Sequence, residues 1–260
     1  MLRRAGRRSV MCGRVVAARP PDLLAAILGA AQVVAPDLGP RWNVAPGGPV
    51  YAVAGVAAGG PAGEAGPAGE ASAGRRLGLM TWGLLPSWAP TPASGPRPVN
   101  ARVESLLSRP HFAGALAARR CLVPIDGFYE WATGPSGARR PHFLAAPDGS
   151  PLAVAAVWDR WSGEGEDRPV LSCALVTVPA NPDVAPLHDR MPALVAPAEW
   201  DEWLDPSNHD EDRLLALLRP PPAGTLAVRP IGRRVNSTAN DGPELLDVVE
   251  PEPGPLTLFG

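Results

Sequence analysis

Apolar residues along this chain come mostly in short runs bounded by glycine and proline, not in long faces of helical period. Runs of strand length occupy 49–56, 77–82, 120–124, 142–146, 152–158 and 173–178. Their Val, Leu, Ala and aromatic content and their turn-forming flanks predict strands with buried faces. Helical spacing is confined to 23–34, 110–118, 197–204 and 210–218, with Asp22 placed to cap the first. Pro110 and Pro197 suit a first helical turn, where no amide is missed. Strands outnumber helices without alternating with them, which predicts an α+β fold built on a curved, largely antiparallel sheet.

Some segments fall outside this pattern. Residues 57–74 are almost wholly Ala, Gly, Pro and Glu and read as a flexible loop between two strands. Residues 1–10 are basic and lack apolar period, as expected of a disordered arm or of a start codon placed upstream of the true initiator, Met11. Residues 250–260 read as an extended tail, leaving 11–249 as one domain.

Composition narrows the class further. The chain has 260 residues, 45% of them hydrophobic, and a net charge of -2, enough to bury a sizeable core in a single globular unit. Such a balance argues against coating DNA by bulk charge but leaves room for a local arginine patch. Pro20, Pro21 and Asp22 break the apolar stretch 23–34 from the arginines ahead of it, and no small-residue cleavage site follows, so neither a signal peptide nor a membrane span is expected. Cys12, Cys121 and Cys173 form no CxxC pair, and the histidines have no metal-ligand spacing. A reducing, cytoplasmic setting, a monomer, and no metal or cofactor are the expectations. Cys121 and Cys173 lie in apolar runs and read as packing residues.

The chain contains no lysine, which sharpens the meaning of Met11-Cys12-Gly13-Arg14. If Met11 is the initiator and is removed, Cys12 carries the only primary amine of the protein beside its own thiol. An α-amine titrates near ~8 against ~10.4 for lysine, so much of it is neutral and nucleophilic at cellular pH. An amine and a thiol so placed trap aldehydes. An internal Cys12 has no amine, and GC-rich codon usage alone accounts for the missing lysines.

Further islands crowd polar and aromatic residues against turns. They are Arg41-Trp42-Asn43-Val44-Ala45-Pro46, then Thr81-Trp82-Gly83-Leu84-Leu85-Pro86-Ser87-Trp88, and Val99-Asn100-Ala101-Arg102-Val103-Glu104. Arg120 to Trp131, containing Asp126-Gly127-Phe128-Tyr129-Glu130-Trp131, and Leu187-His188-Asp189-Arg190-Met191-Pro192 complete the series, with Val235-Asn236-Ser237 and Asn240-Asp241-Gly242 near the end. Together and in this order they closely resemble the SRAP (SOS response-associated peptidase) family from Met11 to about Val249, whose members capture abasic sites in single-stranded DNA.

The resemblance implies a barrel-like sheet core and a thiazolidine crosslink formed by Cys12. It assigns acid-base work to Glu130, proton transfer and reversal to His188, and positioning of the reacting centre to Asn100. Arg102 and Arg190, with Arg14 as a further candidate, are implied phosphate contacts; Trp82 and Trp88 stand near the lesion and Pro46 lines the site. The partner so implied is abasic single-stranded DNA, with the protein nucleoid-associated when bound. Read alone, Glu130 is also compatible with a surface strand, Asn100 with a turn and His188 with a backbone-bonded loop. A cysteine peptidase using Cys12, His188 and Glu130, and a non-covalent single-strand binder, stay open at this point.

Overall fold

A computed structural model describes residues 13–56, 74–134, 137–163 and 169–249. The arm 1–10, Met11 and Cys12, nearly all of the predicted loop 57–74 and the tail 250–260 lie outside the described residues. In chain order come β1 (Val15–Ala17), α1 (Pro21–Leu28), β2 (Gln32–Val33), β3 (Arg41–Val44), β4 (Pro49–Val56), β5 (Gly74–Trp82) and β6 (Asn100–Arg102). Then follow α2 (Pro110–Ala118), β7 (Arg120–Ile125), β8 (Gly127–Thr133), β9 (Arg139–Ala145), β10 (Leu152–Trp161) and β11 (Val170–Pro179). The last are β12 (Arg190–Pro192), α3 (Trp200–Leu204), α4 (Glu211–Ala216) and β13 (Ala227–Pro230).

The fold is α+β with curled sheets, as the run pattern predicts. β4 pairs antiparallel with β5 and β7, and β10 pairs antiparallel with β7 and β11. β11 then returns to β5 through the parallel pairs Ser172↔Thr81 and Cys173↔Trp82, so these strands close into a ring. β6 and β12 both attach to β11. A second sheet, ordered β13-β9-β8-β1-β3, lays Val15, Val44, Phe128 and Leu144 on the core it shares with ring residues such as Leu122, Val154 and Val176. Its other face carries Val16, Tyr129 and Phe143 against Ile231 and Val235. Gly127 opens β8 where a Cβ would lie 2.4 Å from the Phe143 ring, so a side chain there would push β9 away.

The first helix is shorter than its apolar run. α1 stops at Leu28 because Gly29 takes φ 66°, and Gln32 and Val33 then pair parallel to β5. Pro20, not Asp22, is the cap residue, and Asp22 falls in the first turn. The expected helix 197–204 divides into a 3-10 turn, Pro197–Glu199, and α3.

Arg120 ties the helices to the ring. It is 3% exposed. Its Nε donates to the Trp203 carbonyl (2.8 Å), Nη1 to those of Leu116 (2.6 Å) and Ala117 (2.9 Å), and Nη2 to that of Asp205. One cation thus satisfies carbonyls at the C-terminal ends of both α2 and α3, where the helix dipole is negative. Arg120→Met would leave these acceptors buried and is expected to lower the free energy of unfolding by about 3–5 kcal/mol. Urea unfolding tests this, and a loss below ~1 kcal/mol would show the cation to be dispensable.

Candidate functional site

The described chain enters at Gly13, beside β8. Val15 lies opposite Phe128 on one side and Val44 on the other, and the Tyr129 amide donates to the Arg14 carbonyl at 3.0 Å. The last of these contacts sets the segment that follows Gly13 beside Tyr129, the residue before Glu130 on β8. Alternation places Glu130 on the core-facing side with Phe128, and it is 2% exposed. The surface-strand alternative for Glu130 is therefore gone. Its cross-strand neighbour is His142, whose Nδ1 lies 3.1 Å from the Arg140 carbonyl.

On the opposite face a clamp fastens this entry strand. Arg14 Nη1 donates to Asn43 Oδ1 and to the Val235 carbonyl, both at 2.7 Å. Asn43 Nδ2 donates to the carbonyls of Ser237 (2.9 Å) and Asn240 (2.8 Å). The Tyr129 hydroxyl donates to the Trp42 carbonyl at 2.7 Å, Trp131 Nε1 donates to Asn236 Oδ1 at 2.8 Å, and the Trp42 amide donates to the Asp241 carboxylate. Burial pushes the pKa of Tyr129 up, with Asp241 adding to it, and burial lowers that of Arg14. Motifs far apart in sequence converge here. Arg14, expected on a DNA phosphate, spends these donors on the protein itself.

Pro46 begins the turn that joins β3 to β4, and that turn leans on Trp82. The Gly47 amide donates to the Trp82 carbonyl at 2.7 Å. Trp82 is 1% exposed, and its Nε1 donates to the Val99 carbonyl at 2.8 Å. It presents no face to solvent and so has none to offer a DNA base; it instead holds Val99, the neighbour of Asn100. Trp88 is 58% exposed. Its loop is held by the Ser87 amide on Asp159 Oδ2 (2.8 Å), the Leu85 amide on Ser172 Oγ (2.8 Å) and Trp161 Nε1 on the Ala89 carbonyl (2.7 Å).

β11 gathers the other residues. Leu175 pairs with Asn100 and Thr177 with Arg102 on one side, while Thr177 pairs with Pro192 and Pro179 with Arg190 on the other. Arg102 is exposed, whereas Arg190 is held by both oxygens of Glu104 and by the Thr177 carbonyl (2.7 Å). His188 Nδ1 lies 3.1 Å from the Arg190 amide and 2.8 Å from Asp189 Oδ1. A neutral ring with bare Nδ1 accepts from that amide; a ring protonated there donates to Asp189.

The structure thus forms two groups, the entry at Gly13-Arg14 beside Tyr129-Glu130, and Asn100, Arg102 and Arg190 along β11 with His188 Nδ1 facing the Arg190 amide. Asn43 and Glu104 lie inside motifs read from sequence, yet nothing in their spacing signals a clamp or an arginine partner. Cys12 lies outside the described residues. Cys121 and Cys173 are fully buried, which pushes both thiols up, Cys173 to about 12. Among the described residues no group of His, Cys, Asp and Glu gathers to hold a metal ion, and no helix is long and apolar enough to cross a membrane.

Known proteins share this sequence and fold. A family model described as SOS response associated peptidase (SRAP) matches residues 11–238. The abasic site processing protein YoqW of Bacillus subtilis is 34% identical over 172 residues, 66% of this chain and 76% of that protein. The abasic site processing protein YoaM of the same organism is 32% identical over 208 residues, 80% of this chain and 85% of that protein. A crystal structure of a protein from Bacteroides thetaiotaomicron superposes with a TM-score of 0.76 at 18% identity, covering 92% of this chain and 100% of that one. A Bordetella bronchiseptica protein gives 0.67 at 22% identity over 85% of this chain and 100% of that one.

Proposed function

Since the chain belongs to the SOS response associated peptidase (SRAP) family, we propose that it senses abasic sites in single-stranded DNA and captures them covalently through Cys12 as the N-terminal residue. The observation that carries this reading is the buried Glu130 on β8, whose neighbour Tyr129 donates its amide to the carbonyl of Arg14, two residues after Cys12 in sequence. The naming of the Bacillus subtilis relatives as abasic site processing proteins supports the same substrate.

An abasic deoxyribose is mostly a closed hemiacetal, and its opening needs a proton delivered to the ring oxygen. The Cys12 amine then adds to the C1′ aldehyde, and the carbinolamine loses one water to give a Schiff base. The Cys12 thiol adds to the imine carbon while the nitrogen takes a proton, closing a thiazolidine. Glu130 supplies and removes the protons of ring opening and dehydration, Asn100 orients the sugar, and His188 carries protons in either direction, including those of reversal. Exposed Arg102 meets a phosphate, and Trp88 stacks on a base beside the gap. A rigid loop ending in an exposed indole favours a single strand, where bases are free to stack.

Incubation of protein beginning at Cys12 with an abasic single-stranded oligonucleotide, followed by a denaturing gel, tests the reading. A heat-stable band of reduced mobility is expected with the abasic strand and not with its undamaged counterpart. Absence of that band would overturn covalent capture, and an equal band with both strands would overturn the abasic-site specificity.

A further inference from the structure

The site's arginines are not in the same state. Arg102 is exposed, but Arg190 is already occupied by another part of the protein. Its Nη1 and Nη2 meet Glu104 Oε1 and Oε2, the second at 2.8 Å, and Nη2 also donates to the Thr177 carbonyl at 2.7 Å. Nε is buried without a hydrogen-bond partner. The donors a phosphate would need in pairs are therefore taken or inaccessible.

The two partners differ in freedom. The Arg190 side chain is 11% exposed and that of Glu104 56%. The guanidinium is the fixed member and the carboxylate the one able to swing away. Hydrogen bonding to Arg190 holds the Glu104 carboxyl below its ordinary range, which keeps it ionised and on the fork. A carboxylate and a phosphodiester present the same paired oxygens to a guanidinium, so one can replace the other without rebuilding the site. A pair with one half-exposed member is held by little net energy.

We propose that Glu104 is a latch on Arg190, an internal anion that occupies the guanidinium until a DNA phosphate displaces it. The proposal rests on the single-strand DNA reading above. It makes Arg190 a contact formed by exchange, while exposed Arg102 feels the Glu104 charge without being hydrogen-bonded to it. Each undamaged strand then gains less from Arg190 than a free arginine would give, which keeps binding away from the lesion weak and reversible.

A thermodynamic cycle tests the latch, using fluorescence anisotropy with an undamaged single-stranded oligonucleotide at low salt. The proteins are wild type, Glu104→Gln, Arg190→Met and the double variant; Met keeps an apolar stem in place of the arginine's. Glu104→Gln is expected to bind about fivefold tighter than wild type, a gain set by the strength of a partly exposed ion pair. In the Arg190→Met background the same change is expected to give less than ~2-fold, the through-space effect of one exposed charge. Weaker or unchanged binding by Glu104→Gln would overturn the latch, showing that Glu104 positions Arg190 or does not compete. Equal gains in both backgrounds would also overturn it, in favour of simple charge repulsion. Wild-type protein that binds neither this strand nor its abasic counterpart would instead fail the DNA reading, whereas a wild type that binds while Glu104→Gln does not tighten fails the latch alone.

Discussion

Protein carrying Cys12→Ala, or retaining any residue ahead of Cys12, is expected to give no heat-stable adduct with abasic single-stranded DNA. A preceding residue converts the α-amine into an amide, whose nitrogen lone pair is delocalised and does not attack an aldehyde. The thiol that remains would add reversibly to C1′ as a hemithioacetal and would be lost on heating. No other group can substitute. The chain has no lysine, so an N-terminal cysteine is its one source of a primary amine beside a thiol. Cys121 and Cys173 are fully buried, with thiols pushed up by desolvation, Cys173 to about 12. Purified proteins beginning at Met1, at Cys12 and with Ala in place of Cys12, compared on one denaturing gel, settle the matter. An adduct from the Met1 protein with its extension intact by mass would refute the aminothiol mechanism.

Glu130→Gln is expected to slow adduct formation by about 10²–10⁴-fold, the range lost when a positioned acid-base group is removed. Glutamine preserves the size and hydrogen-bonding oxygen of the side chain but carries no transferable proton. The position is 2% exposed. Bulk water is therefore a poor replacement for the missing acid. Single-turnover kinetics on abasic DNA give the rate, and anisotropy with an undamaged strand gives affinity separately. A large loss of rate at little change in affinity is the expected pair of results. Equal losses in both would make Glu130 a binding residue, and a rate within tenfold of wild type would remove it from the chemistry.

Much of the fold is written in the apolar runs, because strands buried in the ring need continuous Val, Leu and Ala. Residues 152–158 and 173–178 lie within β10, which runs on to Trp161, and β11, which runs from Val170 to Pro179. The runs could not show closure of the ring, since β11 meets β5 through contacts between distant segments. β1 and β6 leave no periodic signal in the sequence because each is 3 residues long. The helical pattern of 23–34 outruns α1 because the left-handed turn at Gly29 ends the helix despite apolar residues beyond. Within the site, motif order pointed to the residues, but local sequence carries no record of burial. That is why Trp82 and Trp88 look alike in sequence, and why the partners of Arg14 and Arg190, supplied by other segments, had to be seen in space.

The clamp between Arg14 and the Val235 carbonyl spans 221 positions of sequence. During synthesis the amino end leaves the ribosome first, while its anchor is among the last parts of the domain to be made. The strand next to Cys12 is therefore fastened beside Glu130 only when almost the whole domain has emerged. A chain truncated before Val235 keeps the β1 sequence but loses the anchor that pins it, so the amino-terminal strand is held by the last part of the domain to be made.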